Sequence, residues 1–354
     1  MAERYLVVGG LGLVGRAMVD ALDDAGIPAI ALSRRAPDWP NSAEWHSVDL
    51  TNRAQCEALF AQRQFREVTH IVYCALQEQP DLIAGWQDAE QIQTNATMLE
   101  NVLDFAAPAR HLSLLQGTKA YAAHLRPMTL PGKERSARPD GANFYWNQED
   151  LVRARSEQGG FAYTVFRPQL VCGLASGSPM NMMAAIGAYG ALCAEAGEPM
   201  SFPGGGDFVT EATDARLLAR CILWAGAHDV AANETYNVTN GDVIHWPSLW
   251  PELAALLNAQ AGPEEARLLQ REMPGREDDW RRLAEARGLT QTSLAGFVGA
   301  SWQFADAVLG YGGQARSTLL STIKLRQHGF AECIDTADMF AELFDAMRIS
   351  RWLP

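Results

Sequence analysis

With 354 residues, 48% hydrophobic and 20% charged, the chain is long enough for a sizeable core and is composed like a globular protein of two packed lobes. Its formal net charge of −13 argues against nucleic-acid or anionic-membrane partners, because phosphate surfaces need clustered Lys and Arg, and no apolar run approaches the ~18 residues of a membrane span. Cys56, Cys74, Cys172, Cys193, Cys221 and Cys333 form no C-x-x-C, and the opening "MAERYLVVGG" reads as a charged lead into a strand rather than a signal peptide, so reduced thiols and a cytoplasmic location are expected.

From the N-terminus, apolar β-type runs alternate with stretches of helical spacing. "YLVVGG" (5–10), "PAIALS" (28–33), "WHSV" (45–48), "THIVYCA" (69–75), "HLSLLQG" (111–117) and "AYTVFRP" (162–168) read as buried parallel strands. Helical spacing falls near 12–25, 53–64, 87–108 and 146–158. Parallel strands need helical crossovers, so this alternation predicts an α/β chain with a Rossmann-type doubly wound parallel sheet.

The pattern changes after "FRPQLVCG" (166–173). A Met- and Gly-rich stretch, "SPMNMMAAIGAYG", leads to a turn at "FPGGGDF", and helical segments then dominate apart from strand-like "TYNVTNG". The expected division is a dinucleotide-binding domain over 1–172 and a smaller, mostly helical substrate lobe over 173–354. The chain should return to the first domain around 208–245 and 324–340. The lobe is expected over the carboxyl edge of the sheet, where ligands bind in such folds.

"VVGGLGLVG" places Gly9, Gly12 and Gly15 in G-x-x-G-x-x-G spacing between a strand and a helix. That arrangement lets backbone approach a pyrophosphate, with helix N–H groups at Leu13 and Val14 facing the anion. Ser33, Arg34 and Arg35 end the second strand, where an NAD site would carry an acid. A hydroxyl and two guanidinium groups suit a 2′-phosphate, so NADP(H) is the expected cofactor; a solvated arginine pair is the alternative. Asp49, beside Leu50, is placed to accept from the adenine amino group, and Ala75 and Leu76 to present backbone to the adenosine side. Gln116, Gly117, Pro168 and Val171, after the fifth and sixth strands, complete the candidate cofactor contacts.

Reductases that open this way usually carry Tyr-x-x-x-Lys. In "NFYWNQEDL" the tyrosine is Tyr145, and Glu149 stands where the lysine would be. The chain has three lysines, Lys119, Lys133 and Lys324, and only Lys119, in "LLQGTKAY", follows a strand at the ligand edge.

The runs "QGTKAY" and "NFYWNQEDL", continued by "FRPQLVCG", "FPGGG", "WQFADAVLG" and "STIKLRQHGF", resemble the progesterone 5β-reductase/iridoid synthase-like family, atypical extended short-chain dehydrogenases/reductases. The resemblance covers nearly the whole chain. It implies Tyr145 and Lys119 as a catalytic pair and NADPH-dependent 1,4-reduction of enones or enals. Trp146 departs from the second tyrosine of many relatives, and the segment between Lys119 and Tyr145 looks short.

Several expectations follow. The Lys119 ammonium should lower the pKa of the Tyr145 phenol. Glu149 is read as a carboxylate favoured by the helix dipole. Phe144, Trp146, Met182, Met183 and Tyr189 are candidates for the wall of a pocket taking a small apolar carbonyl compound, with core packing the alternative for each. His124 is left out as a structural loop histidine. No cluster has metal-ligand spacing, and no G-x-S-x-G points to a hydrolase. A homodimer is compatible with these features. The rival functions are direct ketone or aldehyde reduction by the same pair, and NADP(H) sensing without catalysis.

Overall fold

The computed structural model describes residues 3–106, 109–311 and 316–354. Seven parallel strands form the central sheet. In chain order these are β1 (Tyr5–Val8), β2 (Ala29–Ser33), β3 (Glu44–Ser47), β4 (His70–Tyr73), β5 (His111–Leu115), β6 (Ala162–Pro168) and the strand Glu234–Val238. Across the sheet the order is Glu234–Val238, β6, β5, β4, β1, β2, β3. The direction of winding reverses between β1 and β4, which opens the crevice where such sheets bind ligands. Strand lengths follow the apolar runs closely, because both faces of each central strand are buried.

Helix α1 (Leu13–Asp24), α2 (Arg53–Phe60), α3 (Leu82–Gly85), α4 (Ala89–Phe105) and α5 (Phe144–Gly159) connect the first six strands. The helical stretch expected to reach residue 108 stops at Phe105; positions 107 and 108 lie outside the described residues. One core packs on each sheet face. Leu6, Ile30, Ile71 and Leu112 belong to one, Val7, Val72 and Phe166 to the other.

Beyond β6 the chain enters a third core built around α6 (Met182–Ala196), with the helices Ser301–Leu309 and Thr336–Ile349 packed on it. From there it returns. Helix α7 (Ala215–Ala227) packs on α1, and Glu234–Val238 adds the seventh strand. Leu325 and Phe330 join the sheet-side core, whereas Met339 and Phe340 belong to the C-terminal one. No helix among the described residues is long and apolar enough to cross a membrane. All six cysteines are unpaired.

Candidate active site

A cavity of about 920 Å³ runs along the carboxyl edge of the sheet, floored by strand ends and roofed by the C-terminal lobe. Its first end is the glycine turn. Gly9 has φ +95°, and a Cβ there would stand 2.8 Å from the Ala75 backbone, so only glycine lets β1 and β4 approach so closely. A Cβ on Gly15 would strike the Gly9 carbonyl oxygen. Gly15 therefore fits helix to strand and does not border the cavity. Gly12 caps α1 in extended backbone with no side-chain cap. The first N–H groups of α1, at Leu13 and Val14, meet the cavity with the favourable end of the helix dipole behind them.

Ser33, Arg34 and Arg35 border the same end, as do Asp49, Leu50, Ala75 and Leu76. Ser33 Oγ accepts from the Arg35 amide at 3.3 Å, which fixes the turn and leaves both arginine side chains exposed. Two hydrogen bonds from Thr51, through its hydroxyl at 2.7 Å and its amide at 3.0 Å, hold the Asp49 carboxyl below its ordinary pKa. Gln116, Gly117, Pro168 and Val171 also border the cavity. These residues fit a dinucleotide by backbone access, unpaired helix N–H groups and free cationic side chains.

At the other end stand Tyr145 and Lys119. Strand β5 stops at Leu115, and Lys119 sits in the single 3₁₀ turn Thr118–Tyr121. Tyr145 is the second residue of α5, whose cap is Asn143. The Asn143 side chain does two things. Its oxygen accepts from the Tyr145 amide at 3.0 Å, and its nitrogen donates to the Lys119 carbonyl at 2.7 Å. One amide thus locks the two backbones together. An Asn before a helical segment is a cap signal in the sequence; starting the helix at 146 rather than 144 concealed it.

The Tyr145 hydroxyl lies against Gly117, 3.6 Å from where a Cβ on that residue would stand. Lys119 Nζ is 5.7 Å from the centre of the Tyr145 ring and 4.2 Å from that of Trp86. Its nearest charge is Glu78, with Oε1 at 3.6 Å. The Nζ atom is buried without a hydrogen-bond partner among the described residues. Burial lowers the Lys119 pKa, and the Glu78 charge works against that loss.

The expected phenol acidification is corrected here. Burial, reinforced by the Glu78 carboxylate, pushes the Tyr145 pKa well above its ordinary value. Burial of the phenol is the larger cause, and the Glu78 carboxylate beside Lys119 adds to it. Tyr145 is a neutral hydrogen-bond donor.

Glu149 is the strut beneath Tyr145. It lies beyond the first turn of α5, so the helix-dipole reading gives way to a stronger cause. Its carboxylate accepts from Arg167 at 3.0 Å, Arg138 at 3.1 Å and Gln116 at 3.1 Å. Burial opposes the charge, but Arg167, the Gln116 hydrogen bond and Arg138 together hold the carboxyl below its ordinary pKa. Gln116 also donates to the Tyr145 carbonyl at 2.9 Å and accepts from Arg167 at 2.9 Å. Its side chain is therefore committed to the strut, leaving only backbone for a cofactor.

Of the expected wall, Phe144 borders the cavity and Trp146, Met182, Met183 and Tyr189 do not. Helix α6 is buried on every side from Met182 to Cys193, so its methionines pack the C-terminal core. The Tyr189 hydroxyl donates to the Ser201 carbonyl. Trp146 follows Tyr145 by one helical step of ~100°, which turns it off the cavity. The apolar wall comes instead from Ile83, Leu125, Met180, Phe208, Phe304 and Val308. Trp86 and His124 border it too, their rings edge to face at 6.0 Å. Burial, followed by the Lys119 charge, pushes His124 down to about 4, so its imidazole is neutral. Among the described residues no group of three or more His, Cys, Asp or Glu could hold a metal.

The switch-point glycine turn and the cavity along the carboxyl edge have the build of a Rossmann-type oxidoreductase of the extended short-chain dehydrogenase/reductase class. The family model described as "NAD dependent epimerase/dehydratase family" matches residues 5–239. Among curated relatives, the (S)-8-oxocitronellyl enol synthase ISY2 of Nepeta cataria is 31% identical over 92% of this chain and 85% of its own. CYC2 of Camptotheca acuminata, of the same name, is 28% identical over 99% and 93%. Among solved structures, UDP-glucose 4-epimerase of Thermotoga maritima matches with TM-score 0.69 at 16% identity, over 98% of this chain and 99% of its own. That of Thermus thermophilus, in complex with NAD, matches with TM-score 0.67 at 18% identity, over 98% and 99%. These two likenesses establish the fold. The chain belongs to the NAD-dependent epimerase/dehydratase family and, within it, to the progesterone 5β-reductase/iridoid synthase-like enzymes.

Proposed function

We propose that the protein is an NADPH-dependent reductase of activated carbon–carbon double bonds, acting on apolar enones or enals. Arg34, Arg35 and Ser33 at the adenosine end favour a 2′-phosphate over a bare ribose. When bound, the reduced dinucleotide supplies a hydride for the β-carbon of the substrate. The chain's own residues handle the oxygen. Tyr145 donates a hydrogen bond to the carbonyl, and Lys119 adds positive potential as negative charge gathers there. In a preorganised site one such donor is worth on the order of 3 kcal/mol. The wall of Ile83, Phe304 and Val308 holds the hydrocarbon and excludes water.

The observation that carries this reading is the buried Tyr145 phenol, with Lys119 beside it, bordering a cavity with an apolar wall. Burial keeps the phenol protonated, so it can offer the carbonyl oxygen a hydrogen bond without completing proton transfer. That suits an enolate, whose charge is delocalised, better than an alkoxide. The curated relatives are named as synthases of an enol; hydride addition to the β-carbon of an enal gives the corresponding enolate, which takes its proton from solvent on release.

The test is Tyr145→Phe at saturating NADPH. Activity on a strongly activated enal should fall but remain measurable, while activity on simple ketones, if present in the parent, should fall far further. Equal proportional losses on both substrate types would favour direct carbonyl reduction.

A further inference from the structure

Five residues beyond β4, Glu78 places a carboxylate 3.6 Å from the Lys119 ammonium, with its side chain only 3% exposed. Gln91 of α4 donates to its other oxygen at 2.6 Å. The Trp86 ring covers the ammonium, and neither Lys119 Nζ nor Glu78 Oε1 has a hydrogen-bond partner among the described residues. Two buried polar atoms left open at mutual ion-pair distance are costly unless the charges serve each other. Nothing in the packing requires an acid here, since a Gln would keep the Gln91 contact.

We propose that Glu78 is a positioning residue of the active site: it holds the Lys119 ammonium beneath Trp86 and keeps both Lys119 and Tyr145 protonated. A carboxylate favours the protonated form of each neighbour, by attracting the ammonium and repelling a phenolate. Without it, burial would favour the neutral amine at Lys119, or, where the ammonium persisted, its unopposed charge would favour the Tyr145 phenolate. Either outcome removes a protonated group that the proposed reaction uses. The pair carries no net charge, yet of its two members only Lys119 borders the cavity, so the positive end of the pair faces the substrate oxygen.

The other ionisable groups around the pair do not substitute for Glu78. His124, just past the turn that carries Lys119, is neutral, and burial keeps the Cys74 thiol protonated, its pKa pushed up to about 12. Glu149, one turn along α5, is engaged by Arg167, Arg138 and Arg153. From the C-terminal lobe, Asp306 and Arg316 border the cavity, with Asp306 accepting from the Leu269 and Gln270 amides.

The inference rests on Tyr145 and Lys119 being the catalytic pair, so its test has one arm that needs turnover and one that does not. In the first, kcat/KM for an enone is followed against pH with NADPH. Glu78→Gln should bring the alkaline limb down by about one pH unit or more, the shift expected of a nearby opposite charge. Glu78→Asp, which keeps the charge, should leave the limb near its parent position. In the second arm, tyrosinate absorbance is titrated in the apo protein, with Tyr145→Phe subtracted to isolate that phenol. Ionisation of Tyr145 should appear at lower pH in Glu78→Gln. Should Glu78→Gln not fold, Gln91→Met, which frees the carboxylate from its anchor, should shift the limb in the same direction by less. A uniform loss of rate with both limb and titration unmoved would overturn the proposal. If no substrate turns over, the second arm still decides the role of Glu78, and only the reductase reading fails.

Discussion

Asn143 offers a way to separate holding Tyr145 from holding Lys119. Asn143→Ser keeps a capping oxygen for the Tyr145 amide but is too short to reach the Lys119 carbonyl, now 2.7 Å from the Asn nitrogen. Asn143→Ala loses both contacts. A single buried hydrogen bond is worth about 1 kcal/mol, and a lost helix cap costs about 1 more. Urea unfolding should therefore show losses near 1 kcal/mol for the serine and 2 kcal/mol for the alanine variant. The catalytic effect should be larger than the stability effect. A catalytic group displaced by about 1 Å costs on the order of a hundredfold. The serine variant should thus lose kcat by tens of fold while its NADPH affinity stays near that of the parent. A serine variant with parental kcat and a 1 kcal/mol loss of stability would refute the idea that this amide positions Lys119.

Other consequences can be checked alongside. Arg34→Ala or Arg35→Ala should each weaken NADPH binding roughly tenfold or more, from loss of one charge-assisted contact, with NADH binding unchanged; equal parental affinities for the two cofactors would remove the phosphate reading. Glu149→Gln should retain the pair's chemistry but leave Arg167 buried without its carboxylate, at about 3 kcal/mol of unfolding free energy at pH 7. Because the folded Glu149 carboxyl lies below its ordinary value, its contribution is present at neutral pH and disappears as pH falls through the folded pKa, so the two proteins should converge in acid. Glu211 behaves oppositely. Burial raises it to about 7 although the Leu320 amide donates to it, so its charged form costs stability as pH rises. Glu211→Gln should stabilise the protein at pH 8 by up to about 3 kcal/mol and have little effect at pH 4, read from denaturation at both values. Phe304→Ala should raise KM for an apolar enone severalfold, whereas Trp146→Phe should leave it near parental.

The sheet was legible because its strands are buried on both faces, which writes them as unbroken apolar runs such as "YLVV" and "HIVY". The glycine turn was legible for a similar reason, since Gly9 and Gly15 answer to backbone clashes that no other residue avoids. Tyr145 and Lys119 emerged from a strand end and a motif. What the sequence concealed is what side chains do at a distance. Glu78 is one acid in a polar stretch until β4 and α4 bring it to Lys119. The charge on Lys119 was visible, but the burial of the phenol and the nearby Glu78 carboxylate were not, and so the phenol shift was expected with the wrong sign. Met182, Met183 and Tyr189 failed as wall residues because a helix buried all round has no face to offer a ligand. The apolar residues that do border the cavity, among them Phe208, Phe304 and Val308, come from segments far apart in the chain and had no local signature.

The most direct test of the account follows one label. NADPH deuterated at its transferable position is turned over with a cyclic enone, and the product is analysed for structure and label. The account predicts the saturated ketone with deuterium on the former β-carbon, formed by the parent and strongly reduced in Lys119→Met that still binds NADPH. An allylic alcohol with deuterium on the carbinol carbon would contradict it.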